Sequence, residues 1–332
     1  MSSRPQTLPT AGKIEHDKGF GLQAASSSGR SRPRAVGRIG YERPAFAFLL
    51  NTPALLAIVA LSAFPIVYSA YLSLHKYNLR RPRVFEFIGL GNYGSILASA
   101  EFWSALTRTA IFTGLVVTLA VSIGLAVALL LNRSFPGSAT LKTIILIPWA
   151  IPHVVTGLMW QWIFDPNVGA LNGLLVSLGF LTHYRGWLSD PVSALLALVW
   201  AEVWNIVPLA VILLLAALQR IPDELYEAAH VDGANGLQMF AYVTFPWIAQ
   251  ALLVVLILQT MAAIRAFDVI YVLTAGGPGT ATTTLTWQTY LTTFESLDFG
   301  KGNAYAYVVS ALTLALAAIY FRILYRRGEI DT

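Results

Sequence analysis

Six long apolar runs separated by polar segments set the pattern of the chain, at residues 46–74, 111–131, 144–164, 192–218, 246–264 and 304–324. Each approaches or exceeds the ~20 residues that a helix needs to cross the hydrocarbon of a bilayer. The first run contains Pro53 and Pro65. The third contains Pro148 and Pro152 and ends on Trp160, Trp162 and Phe164, an aromatic cluster of the kind found at a membrane interface. The fifth can extend past Arg265 to Leu273. The pattern predicts an all-α polytopic membrane protein with six transmembrane helices, and no two runs show obvious internal similarity.

Between the fourth and fifth runs lies a polar island, Leu225 to Pro246, of about helix-turn-helix length. Ile221-Pro222-Asp223-Glu224 starts it well, since proline is tolerated at a first helical position and acids favour the positive end of the helix dipole. The first helix should stop near Asp232, where Gly233 can take the left-handed conformation that ends a helix. Asn235 can cap a second short helix, and Pro246 opens the next apolar run. A stiff, capped element of this kind at a membrane surface suggests a handle that another protein grips.

Elsewhere, 77–101 contains Phe87-Ile88-Gly89-Leu90-Gly91-Asn92-Tyr93, and 165–190 contains Pro166-Asn167-Val168-Gly169-Ala170-Leu171-Asn172. Both read as turns leading into short helices. Leu273-Thr274-Ala275-Gly276-Gly277-Pro278-Gly279 is a strong helix stop. After it, Trp287, Tyr290, Leu291, Phe294 and Leu297 fall at helical spacing, which fits either an amphipathic helix in the outer interface or a packed outer cap.

Composition supports the membrane reading. Of 332 residues 56% are hydrophobic and 12% charged, about half the ~25% charged residues of soluble domains. There is no cysteine, which excludes disulfides and thiolate metal sites. The net charge of +5 does not point to nucleic acid, because the basic residues cluster beside apolar runs. Most of them fall on one side if both termini are cytoplasmic, although Lys76, Arg80, Arg81 and Arg83 in the first outer loop weaken the bias. Residues 1–45 are rich in Ser, Gly, Arg and Pro and read as a disordered basic cytoplasmic tail. Residues 46–327 form the six-span membrane domain and 328–332 a short cytoplasmic end. On this topology the Glu227 island faces the cytoplasm.

Glu202 is the one carboxylate within the apolar cores of the six runs, and Asn205 shares its helical face, with Trp200 and Trp204 alongside. Gln259 and Arg265 share a face at the far end of the fifth run, followed by Asp268. Rings beside hydrogen-bonding groups suit a sugar, whose C–H faces stack on indole and whose hydroxyls need donors and acceptors. Glu202, Trp204, Asn205, Gln259, Arg265 and Asp268 are therefore candidates for a substrate pathway. Each also has a packing alternative, and Arg265 with Asp268 could form a surface pair. The chain has no Gly-x-x-x-x-Gly-Lys-Ser/Thr loop, His-Glu-x-x-His or Gly-x-Ser-x-Gly, so no ATP site, zinc site or serine nucleophile is expected in it. His153 and His230 read as packing or surface groups.

Glu227-Ala228-Ala229, two residues, then Asp232-Gly233-Ala234, with Pro246 beyond, resembles the EAA loop of bacterial ABC-importer permeases. Three further stretches resemble the carbohydrate-uptake branch of the maltose and glycerol-phosphate type. They are Phe87 to Tyr93, Leu218-Gln219-Arg220-Ile221-Pro222, and Leu273 to Pro278; the first and last resemble the F-like subunit of such heterodimers. The likeness covers about residues 46–327, without the maltose-specific member's extra N-terminal helices and large outer domain. It implies a multi-pass protein of the bacterial inner membrane that is not itself an enzyme. Its implied partners are a second, G-like permease, two ATP-binding subunits that bring ATP and Mg, an extracytoplasmic solute-binding protein and a sugar. The loop would be a coupling helix seated in an ATPase cleft: Glu227 would bind a donor there, and Ala228 and Ala229 would allow close packing. Asp232 would brace the turn, and Gly233 would permit it before Ala234. The same family also carries glycerol-3-phosphate, glycerophosphodiesters and polyols. A secondary transporter or channel would leave Glu227 unexplained, and an intramembrane enzyme is the most distant reading.

Overall fold

The computed structural model describes residues 44–328; the expected tail over 1–45 and the terminal 328–332 lie almost wholly outside the described residues. By its contacts the chain divides between Ile58 and Val59, and the packing below is that of residues from Val59 onward. Helix α1 (Pro44–Ser73) leads through an antiparallel hairpin, β1 (His75–Tyr77) and β2 (Phe85–Phe87), with Lys76 opposite Glu86. Then come α2 (Gly91–Leu97), α3 (Ala100–Leu131), α4 (Ser138–Ile144), α5 (Ile147–Ala150), α6 (His153–Ile163) and α7 (Ala170–Ser177). The second half holds α8 (Pro191–Leu218), α9 (Asp223–Val231), α10 (Gly236–Met239), α11 (Phe245–Ile264), α12 (Asp268–Leu273), α13 (Leu285–Tyr290) and α14 (Phe299–Gly328). Among the described residues five helices are long and apolar enough to cross a membrane, and the broken α4–α6 segment makes a sixth if counted as one span.

The centre is α8, where Ala201, Glu202, Asn205, Ala210 and Leu214 are each at most 1% exposed. It packs most extensively on α3, and α11 packs against both. Between apolar helices in lipid there is little hydrophobic drive, so small residues that allow close van der Waals contact take its place. A side chain at Gly124 would stand 2.8 Å from Ala210 Cβ. Gly124→Leu is therefore expected to push α3 off α8 and to destabilise the protein by ~1–3 kcal/mol. A lower unfolding temperature of the protein in nanodiscs checks it; an unchanged one refutes the close contact.

Several sequence-based bounds shift. The second span begins at Ala100 rather than residue 111, because Ser99 caps it by accepting from the Phe102 N–H. The third does not cross as one straight rod. Ser138–Ala150 and His153–Ile163 meet at 98°, where Pro152 pushes Ile151 into an extended conformation (ψ 128°) and supplies no N–H of its own. The fifth span stops at Ile264; the continuation to Leu273 is a separate helix, α12, packed on α6 instead. Pro222 is the N-cap of α9, one position before the first helical residue. A π-helical turn, Phe240–Thr244, joins α10 to α11 and places Pro246, which has no N–H to donate, directly after the widened turn.

The sequence stretches outside the spans are joints. Asn92 donates to the carbonyls of Ser73 (2.8 Å) and His75 (2.9 Å), tying α2 to the end of α1. Fully buried Asn172 donates to the Asp165 and Arg185 carbonyls and accepts from Trp187 Nε1 (2.9 Å), closing the loop after α6. The segment from Trp287 is a packed cap, not a helix lying free: Trp287 is buried in the main core, and Leu297 lies beyond the helical turns. Gly276 has a positive φ of 80°, and a side chain there would collide with the Trp287 indole, so the Gly-Gly-Pro stop is also the floor under that ring.

Candidate functional site

The Leu225–Pro246 island forms as its local chemistry requires. Asp223 and Glu224 sit in the first turn of α9, and Asp232 is its C-cap. Gly233 follows at φ 78°. Its N–H donates to the His230 carbonyl (3.1 Å), and the Ala234 N–H donates to that of Ala229 (2.9 Å). These two bonds are the paired closure of a Schellman end, which satisfies carbonyls the helix would otherwise leave open. The spacing of Ala229, Gly233 and Ala234 thus has a backbone reason. Asn235 and Gln238 then form a reciprocal capping box (3.0 and 2.8 Å) that starts α10.

The loop is exposed on one side and anchored on the other. Glu227, Ala228, Asp232 and Gly233 are exposed, and Ala229 and Ala234 are half-buried. Beside them Val231 (87% exposed), Leu237 (82%) and Tyr242 (80%) add apolar surface to a face rimmed by Asp223, Glu224 and Glu227. On the inner side, Leu225 and Tyr226 pack against the cluster of Leu218, Ile221 and Ile248. The Tyr226 hydroxyl meets Thr244 Oγ1 at 2.9 Å, pinning α9 to the turn that opens α11. A displacement of α9 therefore reaches the ends of both α8 and α11.

The polar residues near α8 have different surroundings. Asn205 donates to the carbonyls of Pro148 (2.9 Å) and Ile151 (3.1 Å) and to Thr156 Oγ1 (3.0 Å). Gln259 donates to the Ile206 carbonyl (3.0 Å). Both are buried: Asn205 bonds across the break in the third span, and Gln259 ties α11 to the backbone of α8 at Ile206. Trp204 meets Trp160 edge-on at 5.9 Å and lines an apolar cavity of about 320 Å³ with Trp200, Pro148 and Pro208; neither Glu202 nor Asn205 lines it. Glu202 is buried with Oε2 lacking a hydrogen-bond partner among the described residues. Arg265 and Asp268 are exposed at the end of α11 away from the Glu227 loop, with Arg265 Nε donating to the Met261 carbonyl (3.1 Å).

Sequence reasoning missed a cluster of rings, because Phe267 and Tyr271 come from a segment taken as the tail of the fifth span. Phe267 stacks on Tyr271 (5.7 Å) and on Trp287 (5.9 Å), and Trp287 stacks on Tyr290 (5.2 Å). The helical spacing of Trp287, Tyr290 and Phe294 was the visible half of that signal.

Residues 120–327 match the family described as binding-protein-dependent transport system inner membrane component. The trehalose/maltose transport system permease protein MalF of Thermococcus litoralis is 36% identical over 286 residues, 86% of this chain and 96% of that protein. The sulfoquinovosyl glycerol transport system permease protein SmoG of Agrobacterium fabrum is 36% identical, over 84% of this chain and 90% of its own length. Among solved structures, a chain of a bacterial ABC transporter that imports the acidic polysaccharide alginate superposes with a TM-score of 0.73. It is 20% identical and covers 86% of this chain and 96% of its own, a likeness of fold. By its family match and its relatives, this multi-pass protein belongs to the inner-membrane permease family of binding-protein-dependent ABC importers.

Proposed function

We propose that the chain is one permease subunit of an ATP-driven importer of carbohydrates, crossing the membrane six times with both termini cytoplasmic. It pairs with a second permease, receives its sugar from an extracytoplasmic binding protein, and rests on two ATP-binding subunits that hold ATP and Mg. The observation that carries this reading is the α9 loop, exposed with an acidic and apolar face and anchored to two spans. Glu227 offers its carboxylate to a donor in the ATPase cleft, and the small Ala228 lets that surface come close. The Schellman end keeps the loop stiff, so closure of the ATPases on ATP moves α8 and α11 rather than deforming α9. The relatives named for trehalose/maltose and for sulfoquinovosyl glycerol are both named for glycosides, which supports sugar as the class.

Proteoliposomes holding the chain with its companion permease and ATPases test the reading. Sugar uptake is expected only when ATP and the binding protein are both supplied. Uptake driven by an ion gradient alone would assign a secondary transporter instead.

A further inference from the structure

At the end of α11 away from the Glu227 loop, α6, α12 and α13 line an open cleft of about 670 Å³, within the ~300–1,000 Å³ range of small-molecule sites. Its walls differ from those of the apolar cavity beside Trp204. Tyr271, 48% exposed, and half-buried Tyr290 present two ring faces that meet edge-on at 5.6 Å. Behind them Trp287 is only 3% exposed, held by the Thr284 cap at its N–H and by the backbone of Gly276. Trp287 is therefore a fixed backing against which Tyr271 and Tyr290 pack. Partial desolvation, the Tyr271 hydroxyl and the Glu295 carboxylate hold the Tyr290 phenol above its ordinary pKa. The side-chain amides of Gln161 and Gln288 also line the cavity, and neither has a hydrogen-bond partner among the described residues. Each amide offers both donors and an acceptor.

We infer that this cavity is an outer sugar subsite, in which a neutral pyranose stacks on Tyr271 and Tyr290 and is hydrogen-bonded by Gln288 and Gln161. Rings beside unpaired amides match a ligand with C–H faces and many hydroxyls. Charge selects the neutral class, because Glu295 is the one formally charged side chain in the lining and would repel a carboxylate or sulfonate. The cations Lys76, Arg80, Arg81 and Lys301 line a separate cavity that shares Gln288 as a wall. The proposal rests on the carbohydrate reading and adds a place where the sugar waits between the binding protein and the transmembrane path.

Saturation-transfer NMR on the full chain in nanodiscs tests it, with trehalose, maltose and glucuronate as probes. Transfer is expected to a neutral disaccharide and not to glucuronate. Tyr271→Ala and Gln288→Ala should weaken half-saturation about tenfold, while Tyr271→Phe, which keeps the ring, should stay near wild type. If Tyr271→Ala fails to fold, Gln288→Ala, at a half-buried amide, carries the same test. Binding unaltered in the variants, or transfer to glucuronate as strong as to maltose, would overturn the subsite. So would absence of binding by a chain whose reconstituted complex imports sugar; a complex that imports no sugar would overturn the carbohydrate reading as well.

Discussion

Gly233→Pro is expected to lower ATP-dependent uptake by about a hundredfold while leaving membrane insertion intact. Proline holds φ near −65°, whereas the turn needs 78°, and it removes the N–H that closes on the His230 carbonyl. That combination costs ~3 kcal/mol or more in a helix-end conformation, and each 1.4 kcal/mol is about tenfold in the population of docked loop. Insertion should survive because α8 and α11 are apolar spans in their own right. Glu227→Ala acts on the same function by a different route, deleting one charged hydrogen bond worth ~1.5–3 kcal/mol without disturbing the exposed helix. Recovery of the ATPase subunits with the purified chain, measured beside uptake, separates docking from folding. If both variants transport normally and hold the ATPases normally, the loop does not couple.

The second large effect belongs to Asn205. Its side chain bonds two carbonyls at the break in the third span and Thr156 beside it. The two N–H groups of its amide are shared among these three acceptors, and interhelical hydrogen bonds in membranes average only ~0.6 kcal/mol each, so losing them costs ~1 kcal/mol. Asn205→Leu is thus expected to lower the unfolding temperature and the yield of assembled complex, and not merely the apparent affinity for sugar. Arg265→Ala, at an exposed residue on another part of α11's end, should leave thermal stability unchanged. Equal melting of Asn205→Leu and wild type in nanodiscs would return Asn205 to the list of substrate contacts.

How much was legible in the chain depends on how local the cause was. The runs that form α1, α3, α8, α11 and α14 could be read because spanning lipid demands length and apolarity of one continuous segment. Their ends were less legible: Ser99 starts α3 inside what looked like a loop, and the stop after Ile264 had no proline or glycine to mark it. The candidate pathway was legible as a set of polar residues on apolar helices, but not in its geometry. Asn205 and Gln259 share the intramembrane placement of a ligand-binding group, and only the fold shows which backbone carbonyls their amides reach.

The Glu227–Pro246 element is the clearest case of what the amino-acid order alone determined. An acidic first turn, a glycine at the one position with positive φ and an asparagine–glutamine box act over a few residues, so the same spacing gives the same turn wherever it is placed. The tertiary structure alone decided how that turn is anchored, through Tyr226 and Thr244. It also decided the 98° bend of the third span, and that α12 leaves α11 to pack on α6, bringing Tyr271 to Tyr290. These contacts join residues far apart in the chain, where periodicity and capping carry no information, and they form only when helix surfaces find shapes that fit.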